Sequence, residues 1–270
     1  MRPSERTPKG GREGEREVAA TWPMLIAQTK SELLQLLRDP AFIISSVTLP
    51  TIFFAFFGLP VVDERTAGTG AGDYLLASFG AYGVISVMLF SFGAGVAAER
   101  GRKTDVLMRA TPLRPAVLLC AKTISALLFA FATLVVLFFF GRVAGGIEPG
   151  MAAWATLTYR LLLGSTPFVF LGFAVGYLAR PTSATPVIQL IYLPIAFASG
   201  LFVPLGGLPE IVQQIAPHLP TYRYAELAWS VVGANTKPLL ASALWLAGYG
   251  VAFLAAAIWA YRREDIRRFG

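Results

Sequence analysis

A single cysteine and a single histidine are all that 270 residues offer to thiol or imidazole chemistry. One thiol forms no internal disulfide, and Cys120, inside an apolar run, reads as a buried, inert side chain. His218 has no second His or Cys at ligand spacing, which argues against a metal site. No Gly-x-x-x-x-Gly-Lys-Ser/Thr loop occurs, so the chain has no recognisable phosphate cradle of its own. The glycine-rich "AGTGAGD", Ala67 to Asp73, lacks the lysine and reads as a flexible turn. Charge is scarce as well, at 14% of residues, and every acidic residue falls outside the long apolar runs. Proton- and sodium-coupled carriers usually hold an ionisable group within the bilayer. Ion coupling therefore loses ground, and energy for work has to come from elsewhere.

What the chain has in abundance is apolar surface. It is 55% hydrophobic and 13% aromatic, with a mean hydropathy of +0.60, which is the composition of a polytopic membrane protein. A hydrocarbon core of about 30 Å needs about 20 apolar helical residues to cross it. Six runs approach that length: Ala41 to Leu59, Tyr74 to Ala98, Ala116 to Phe140, Leu161 to Ala179, Val187 to Leu205 and Leu239 to Ala260. The expected fold is thus an all-α membrane protein with six transmembrane helices. Basic residues crowd the N-terminal forty residues, the segment after the second run and the C-terminus, so the positive-inside rule places both termini in the cytoplasm, and the expected location is a bacterial-type plasma membrane. The net charge of +7 then reads as contact with anionic membrane lipids and not with nucleic acid, because the basic residues are scattered among membrane anchors.

Around the runs, residues 1–20 mix both charges with Gly and Pro and read as a disordered cytoplasmic tail, not a cleaved signal. Residues 21–40 carry Trp22, Leu25, Ile26, Thr29, Leu33, Leu36 and Leu37 at helical spacing, opposite Gln28, Lys30, Glu32, Gln35 and Arg38. With Thr21 as N-cap and Pro23 in the first turn, this predicts an amphipathic helix lying in the inner interface. The spans fill residues 41–261, and residues 262–270 form a basic cytoplasmic tail. Pro50, Pro167 and Pro194 invite kinks, while the pairs Gly172/Gly176 and Ser91/Gly95 permit close helix packing, within the chain or between copies. Arg160 is expected at the outer edge, and Lys122 is expected to snorkel inward. Between the last two runs, prolines divide "FVPLGGLPEIVQQIAPHLPTYRYAELAW" into two short helical pieces. This predicts a re-entrant hairpin, with Glu210, Tyr222, Arg223 and Glu226 on it and with Tyr222, Tyr224 and Trp229 in the interfacial aromatic belt. A surface loop with two helical turns is the alternative.

The stretch "ERGRKTDVLMRATPLRP", Glu99 to Pro115, joins the second and third runs. Val106, Leu107, Ala110 and Leu113 share one face, Arg102, Lys103, Asp105 and Arg109 lie elsewhere, and Pro112 ends the helix. It reads either as a solvated loop in contact with lipid or as a docking knob for a cytoplasmic motor.

The segment "ERGRKTDVLMRATPLRPAVLLCAK", with the outer hairpin, the amphipathic entry helix and the six runs, resembles permease subunits of type-2 ATP-binding-cassette exporters, the group that includes daunorubicin-resistance-type drug exporters. The likeness covers nearly everything after Thr21. It implies a transport subunit that is not itself an enzyme, working with an ABC-type ATPase subunit in which ATP and Mg would bind, and with a second permease copy or paralogue, most simply as a homodimer. It also implies that the helix around Arg102 to Ala110 is a coupling helix. Glu99, Arg102, Lys103, Asp105, Val106, Leu107 and Arg109 would serve coupling to the ATPase, and the first, second and fifth spans would border the pathway. Phe53, Phe54, Phe57, Tyr192 and Phe197 are the candidate pathway residues, suited to an apolar or amphipathic cargo such as a drug or lipid. An ion-coupled carrier and a non-transport membrane scaffold or enzyme remain as alternatives.

Overall fold

The structure, a computed structural model, describes residues 10–102, 115–235 and 238–269. Helices dominate the chain. In order they are α1 (Gly10–Leu37), α2 (Pro40–Val61), α3 (Ala71–Gly101), α4 (Pro115–Gly145), α5 (Met151–Leu178), α6 (Ala184–Ala198), α7 (Glu210–Ile215), α8 (Pro220–Trp229) and α9 (Leu239–Phe269). Among the described residues five helices, α2, α3, α4, α5 and α9, are long and apolar enough to cross a membrane. The fifth apolar run yields α6, a shorter helix of 15 residues, followed by irregular chain from Ser199 to Pro204.

The second span, α3, is the axis of the bundle. Tyr74, Phe79, Tyr82, Ile85, Met88 and Phe92 are all buried, and its apolar residues run right round the helix, as an enclosed span requires. The flanking helices leave apolar side chains exposed, among them Phe131, Val135 and Phe139 on α4 and Leu244, Val251 and Ile258 on α9. In water such a surface would be a liability, whereas in hydrocarbon it is the ordinary exterior of a span. Cys120 lies on that exterior. It is exposed, contrary to the expectation of a buried thiol, because its face of α4 also carries exposed Leu119 and Ile124.

Backbone irregularities have local causes. Pro50 cannot donate a hydrogen bond, and the helix answers with a π turn over Ile44–Thr48, while the Thr51 hydroxyl donates to the Val47 carbonyl at 3.1 Å. A second π turn covers Phe54–Gly58, and a third, Phe90–Ala94, lies in α3. Gly172 and Gly176 of α5 press against this third turn. A Cβ on Gly176 would come within 2.8 Å of the Phe92 carbonyl oxygen, so this pair serves packing within the chain. At the other end, Ala67 and Gly68, both with positive φ, make the tight turn of a small hairpin pairing β1 (Arg65–Thr66) with β2 (Thr69–Gly70).

The helix α1 departs from expectation at its start. It begins at Gly10, within the stretch expected to be disordered, and Pro23 lies in its interior instead of its first turn. Glu13, Glu15, Arg16, Ala19 and Ala20 are good helix formers that carry the helix backward past Thr21. It packs along α4, where the Ser125 hydroxyl donates to the Thr29 carbonyl at 3.1 Å. Trp22, Ile26, Leu34 and Leu37 remain exposed. Asp39 ends this element and caps the next, accepting from the Ala41 and Phe42 amides at 3.0 and 3.2 Å, with Pro40 in the first turn of α2.

Candidate functional site

Three groups of residues follow from this scaffold, one at the end of the bundle where α3 closes, one within it and one at the opposite end. At the first of these, α3 closes with Glu99 and Arg100, adjacent in sequence and bonded to different helices. The Glu99 carboxylate accepts from Lys122 Nζ on α4, and Lys122 also lies 3.9 Å from Glu32 of α1. Gln28 Nε2 donates to Glu32 at 3.2 Å. The side chains of Glu32, Lys122 and Glu99 are 7%, 8% and 17% exposed, so three charges share a site largely closed to water. Burial raises the Glu32 carboxyl above its ordinary range and the Glu99 charge raises it further, while Lys122 and Gln28 work in the opposite direction.

Two sequence expectations change here. The helical spacing predicts Glu32 on the polar face of α1, away from the core. It turns inward because its position is at the edge of the stripe that holds Leu33 and Leu36 against the bundle, where Lys122 awaits it. Lys122, in turn, does not snorkel to water, since two carboxylates meet it inside the protein.

Arg100 points the other way. Its guanidinium pairs with Glu264 of α9 at 2.6 Å and donates to the Gly176 and Ala179 carbonyls at 2.7 and 3.2 Å. Those carbonyls belong to the C-terminal end of α5, where a cation satisfies orphan acceptors and opposes the helix dipole. Four helices are therefore tied to two consecutive residues of α3. Arg102 follows, exposed, at the end of α3. Lys103, Asp105, Val106, Leu107 and Arg109, the rest of the expected coupling segment, lie outside the described residues.

Within the bundle an aromatic cluster joins α2, α3 and the chain after α6. The Phe53 ring lies 4.9 Å from Phe202 and 5.6 Å from Tyr82, while Phe57 lies 5.6 Å and Phe197 5.2 Å from Phe202. Tyr192 is stacked on Tyr82 at 4.9 Å, and its hydroxyl donates to the Tyr82 carbonyl at 2.8 Å. Four of the five proposed pathway residues thus converge. Phe54 is separated from them, fully buried on the far side of α2 and edge-on to Phe140. Neighbouring helical positions are about 100° apart, so Phe53 and Phe54 could not both face the cluster. Phe79, Tyr82 and Phe202, missed in the sequence reading, form its centre, and no local pattern marks them off from ordinary core aromatics.

At the opposite end of the bundle, α7 and α8 with the turn between them form a compact hairpin. Tyr222, Tyr224 and Trp229 do not sit in an aromatic belt. They are buried, with Trp229 stacked on Tyr74 at 5.1 Å. Two of the polar tips find protein partners: Trp229 Nε1 donates to Ser78 Oγ at 2.8 Å, and the Tyr224 hydroxyl donates to the Leu161 carbonyl at 2.6 Å. The Tyr74 hydroxyl reaches the Gly200 carbonyl at 2.8 Å, and Ser199 hydrogen-bonds to Thr221, which fastens the hairpin to the chain leaving α6. Glu226, 1% exposed, accepts from Arg223 at 3.1 Å and from the Ser242 hydroxyl of α9 at 2.7 Å. The Arg223 guanidinium also lies over the Trp245 ring. Glu210 is exposed in the first turn of α7, where a carboxylate suits the helix dipole.

Comparison with known proteins agrees with the architecture. The chain is 25% identical over 243 residues, 90% of its length and 98% of the relative's, to YvfS of Bacillus subtilis (strain 168), which carries the name of a transport permease. Residues 62–259 match the family described as ABC-2 family transporter protein. The match takes in α3, α4, α5, α6, α7 and α8, and it spans well over half of the chain. This multi-pass protein therefore belongs to the ABC-2 family of transporter proteins, as a transmembrane permease subunit of an ABC transporter.

Proposed function

We propose that the chain is the passive gate of an ATP-driven exporter that moves an apolar or amphipathic cargo, drug-like or lipid-like, out of the cytoplasm or inner leaflet. ATP and Mg bind in a separate ATPase subunit, and two copies of this chain form the permease. Six spans cross the plasma membrane, with α6 and the chain after it serving as the fifth, and both termini are cytoplasmic. The segment 103–114 docks on the ATPase.

The observation that carries this reading is the placement of Glu99 and Arg100 immediately before that segment. A force applied to residues 103–114 reaches α3 and α4 directly, because the segment joins them. Through Glu99 and Lys122 it then reaches α1, and through Arg100 it reaches α5 and α9. A packed bundle held by short ionic contacts moves as a body between discrete arrangements, which is what a nucleotide-driven two-state cycle demands. The aromatic cluster of Phe53, Phe57, Phe197 and Phe202 supports the cargo class, because a wall of rings beside a buried tyrosine suits an apolar molecule carrying few polar groups.

The test is reconstitution with the cognate ATPase in liposomes. Cargo accumulation should require ATP, and Leu107→Asp should abolish ATPase co-purification and flux while leaving the permease folded. Uphill flux by the permease alone, driven by an ion gradient, would refute the reading in favour of a secondary carrier. Retained ATPase binding and coupled flux in Leu107→Asp would refute the docking role of residues 103–114.

A further inference from the structure

A groove of about 490 Å³ runs between α5 and α9, with Leu227 of α8 at one end. Leu163, Pro167 and Phe170 form one wall, and Ala243, Ala247 and Leu254 form the other. From Arg160 to Phe170, and from Ala243 to Leu254, each wall extends about 15 Å at the helical rise of about 1.5 Å per residue. That is half of a hydrocarbon core of about 30 Å, the reach of one leaflet's acyl chain. The groove is apolar along its length and charged at one end only, where Arg160 stands.

Arg160 is half-buried, and its Nη1 donates to the Ser230 hydroxyl at 2.7 Å. Among the described residues no carboxylate lies within ion-pair distance of it, in contrast to Arg100, Arg142 and Arg223, each of which has one. The contact with Ser230 fixes the guanidinium at the outer mouth of the groove and uses one of its five donors. Arg160 takes no part in the inner junction, in the aromatic cluster or in the Arg223–Glu226 contact.

We propose that this groove is a binding site for an anionic phospholipid of the outer-side leaflet, its headgroup phosphate on Arg160 and one acyl chain lying between α5 and α9. The headgroup phosphate accepts charge-assisted hydrogen bonds from Arg160, and the net charge of the headgroup decides which lipid is preferred. A zwitterionic lipid presents the same phosphate with a cation attached, and Arg160 repels that cation. The bound chain covers exposed apolar surface of α9, the span with the smallest buried share.

The experiment is native mass spectrometry of the full chain in detergent, titrated with phosphatidylglycerol or phosphatidylcholine of identical acyl chains. The expected result is several-fold tighter retention of phosphatidylglycerol, a preference lost in Arg160→Gln and kept in Arg160→Lys. Ala247 is exposed in the groove, so Ala247→Phe fills the groove without entering the core, and it should weaken retention of both lipids. Circular dichroism checks that each variant is folded. An unchanged preference in Arg160→Gln, or undiminished lipid retention in Ala247→Phe, would overturn the proposal. Loss of a dimeric species in Ala247→Phe without loss of lipid would overturn it too, by assigning the groove to a second copy of the chain.

Discussion

Lys122 near the start of α4 and Glu99 near the end of α3 face each other, and Glu32 of α1 completes a buried group with two acids and one base. When both carboxylates are ionised, the group carries one net negative charge inside the protein. Removing the ammonium is then the costliest single change available there. Lys122→Met should destabilise the chain by about 3–5 kcal/mol, the range for leaving a buried charge without its partner. Thermal unfolding in detergent measures this. The triple variant Glu32→Gln, Glu99→Gln, Lys122→Met should recover much of the loss, because it leaves no charge to desolvate.

The same group predicts a pH dependence. Burial raises the Glu32 carboxyl above its ordinary 4.5, so the folded state holds its proton at a pH where the unfolded chain has released it. The stabilising contribution of the protonated form is complete below 4.5 and is lost as pH rises through the folded-state value. Glu32→Gln keeps the hydrogen-bonding shape and removes the titration. It should therefore raise the melting temperature more at pH 8 than at pH 4.5, and a parallel shift at both values would exclude Glu32 as the titrating group.

Arg100 makes a different prediction because it binds backbone as well as a carboxylate. Arg100→Lys keeps the charge but not the planar fork that reaches Glu264 and two carbonyls together. ATPase binding through residues 103–114 should survive, while the fraction of hydrolysis coupled to cargo movement falls several-fold. Flux and phosphate release measured on the same liposomes separate these. Equal losses of both would mean that Arg100 supports folding only.

Much of this was legible in the residues themselves. Five of the six apolar runs became helices long enough to cross a membrane, the prolines divided the hairpin of α7 and α8, and Gly172 and Gly176 marked a close packing face. The failures share one cause, which is that amphipathicity in a membrane protein does not say which face meets lipid. Glu32 appeared to point to water because it lies among Gln28, Lys30 and Gln35, yet a lysine ninety residues later draws it inward. Tyr222, Tyr224 and Trp229 have the composition of an interfacial belt, but hydroxyl and carbonyl partners on α3 and α5 hold Trp229 and Tyr224 inside. Nothing local separates a tyrosine whose partner is a headgroup from one whose partner is Leu161.

Phe53 and Phe54 allow a comparison between adjacent residues of the same type. Phe53 belongs to the aromatic cluster with Phe57, Phe79, Tyr82 and Phe202, whereas Phe54 is enclosed against Phe140. Phe54→Ala should cost about 3–5 kcal/mol of stability, as expected for a fully buried ring, with no change in which cargoes are preferred. Phe53 is only partly buried, so Phe53→Ala should cost less stability but alter relative flux among cargoes of different aromatic content by several-fold. Competition flux with an aromatic and an aliphatic amphiphile, read beside thermal unfolding of both variants, tests the two halves together. If cargo preference moved with Phe54→Ala and not with Phe53→Ala, the pathway would run along the α4 side of the first span, and the cluster around Phe202 would be core packing.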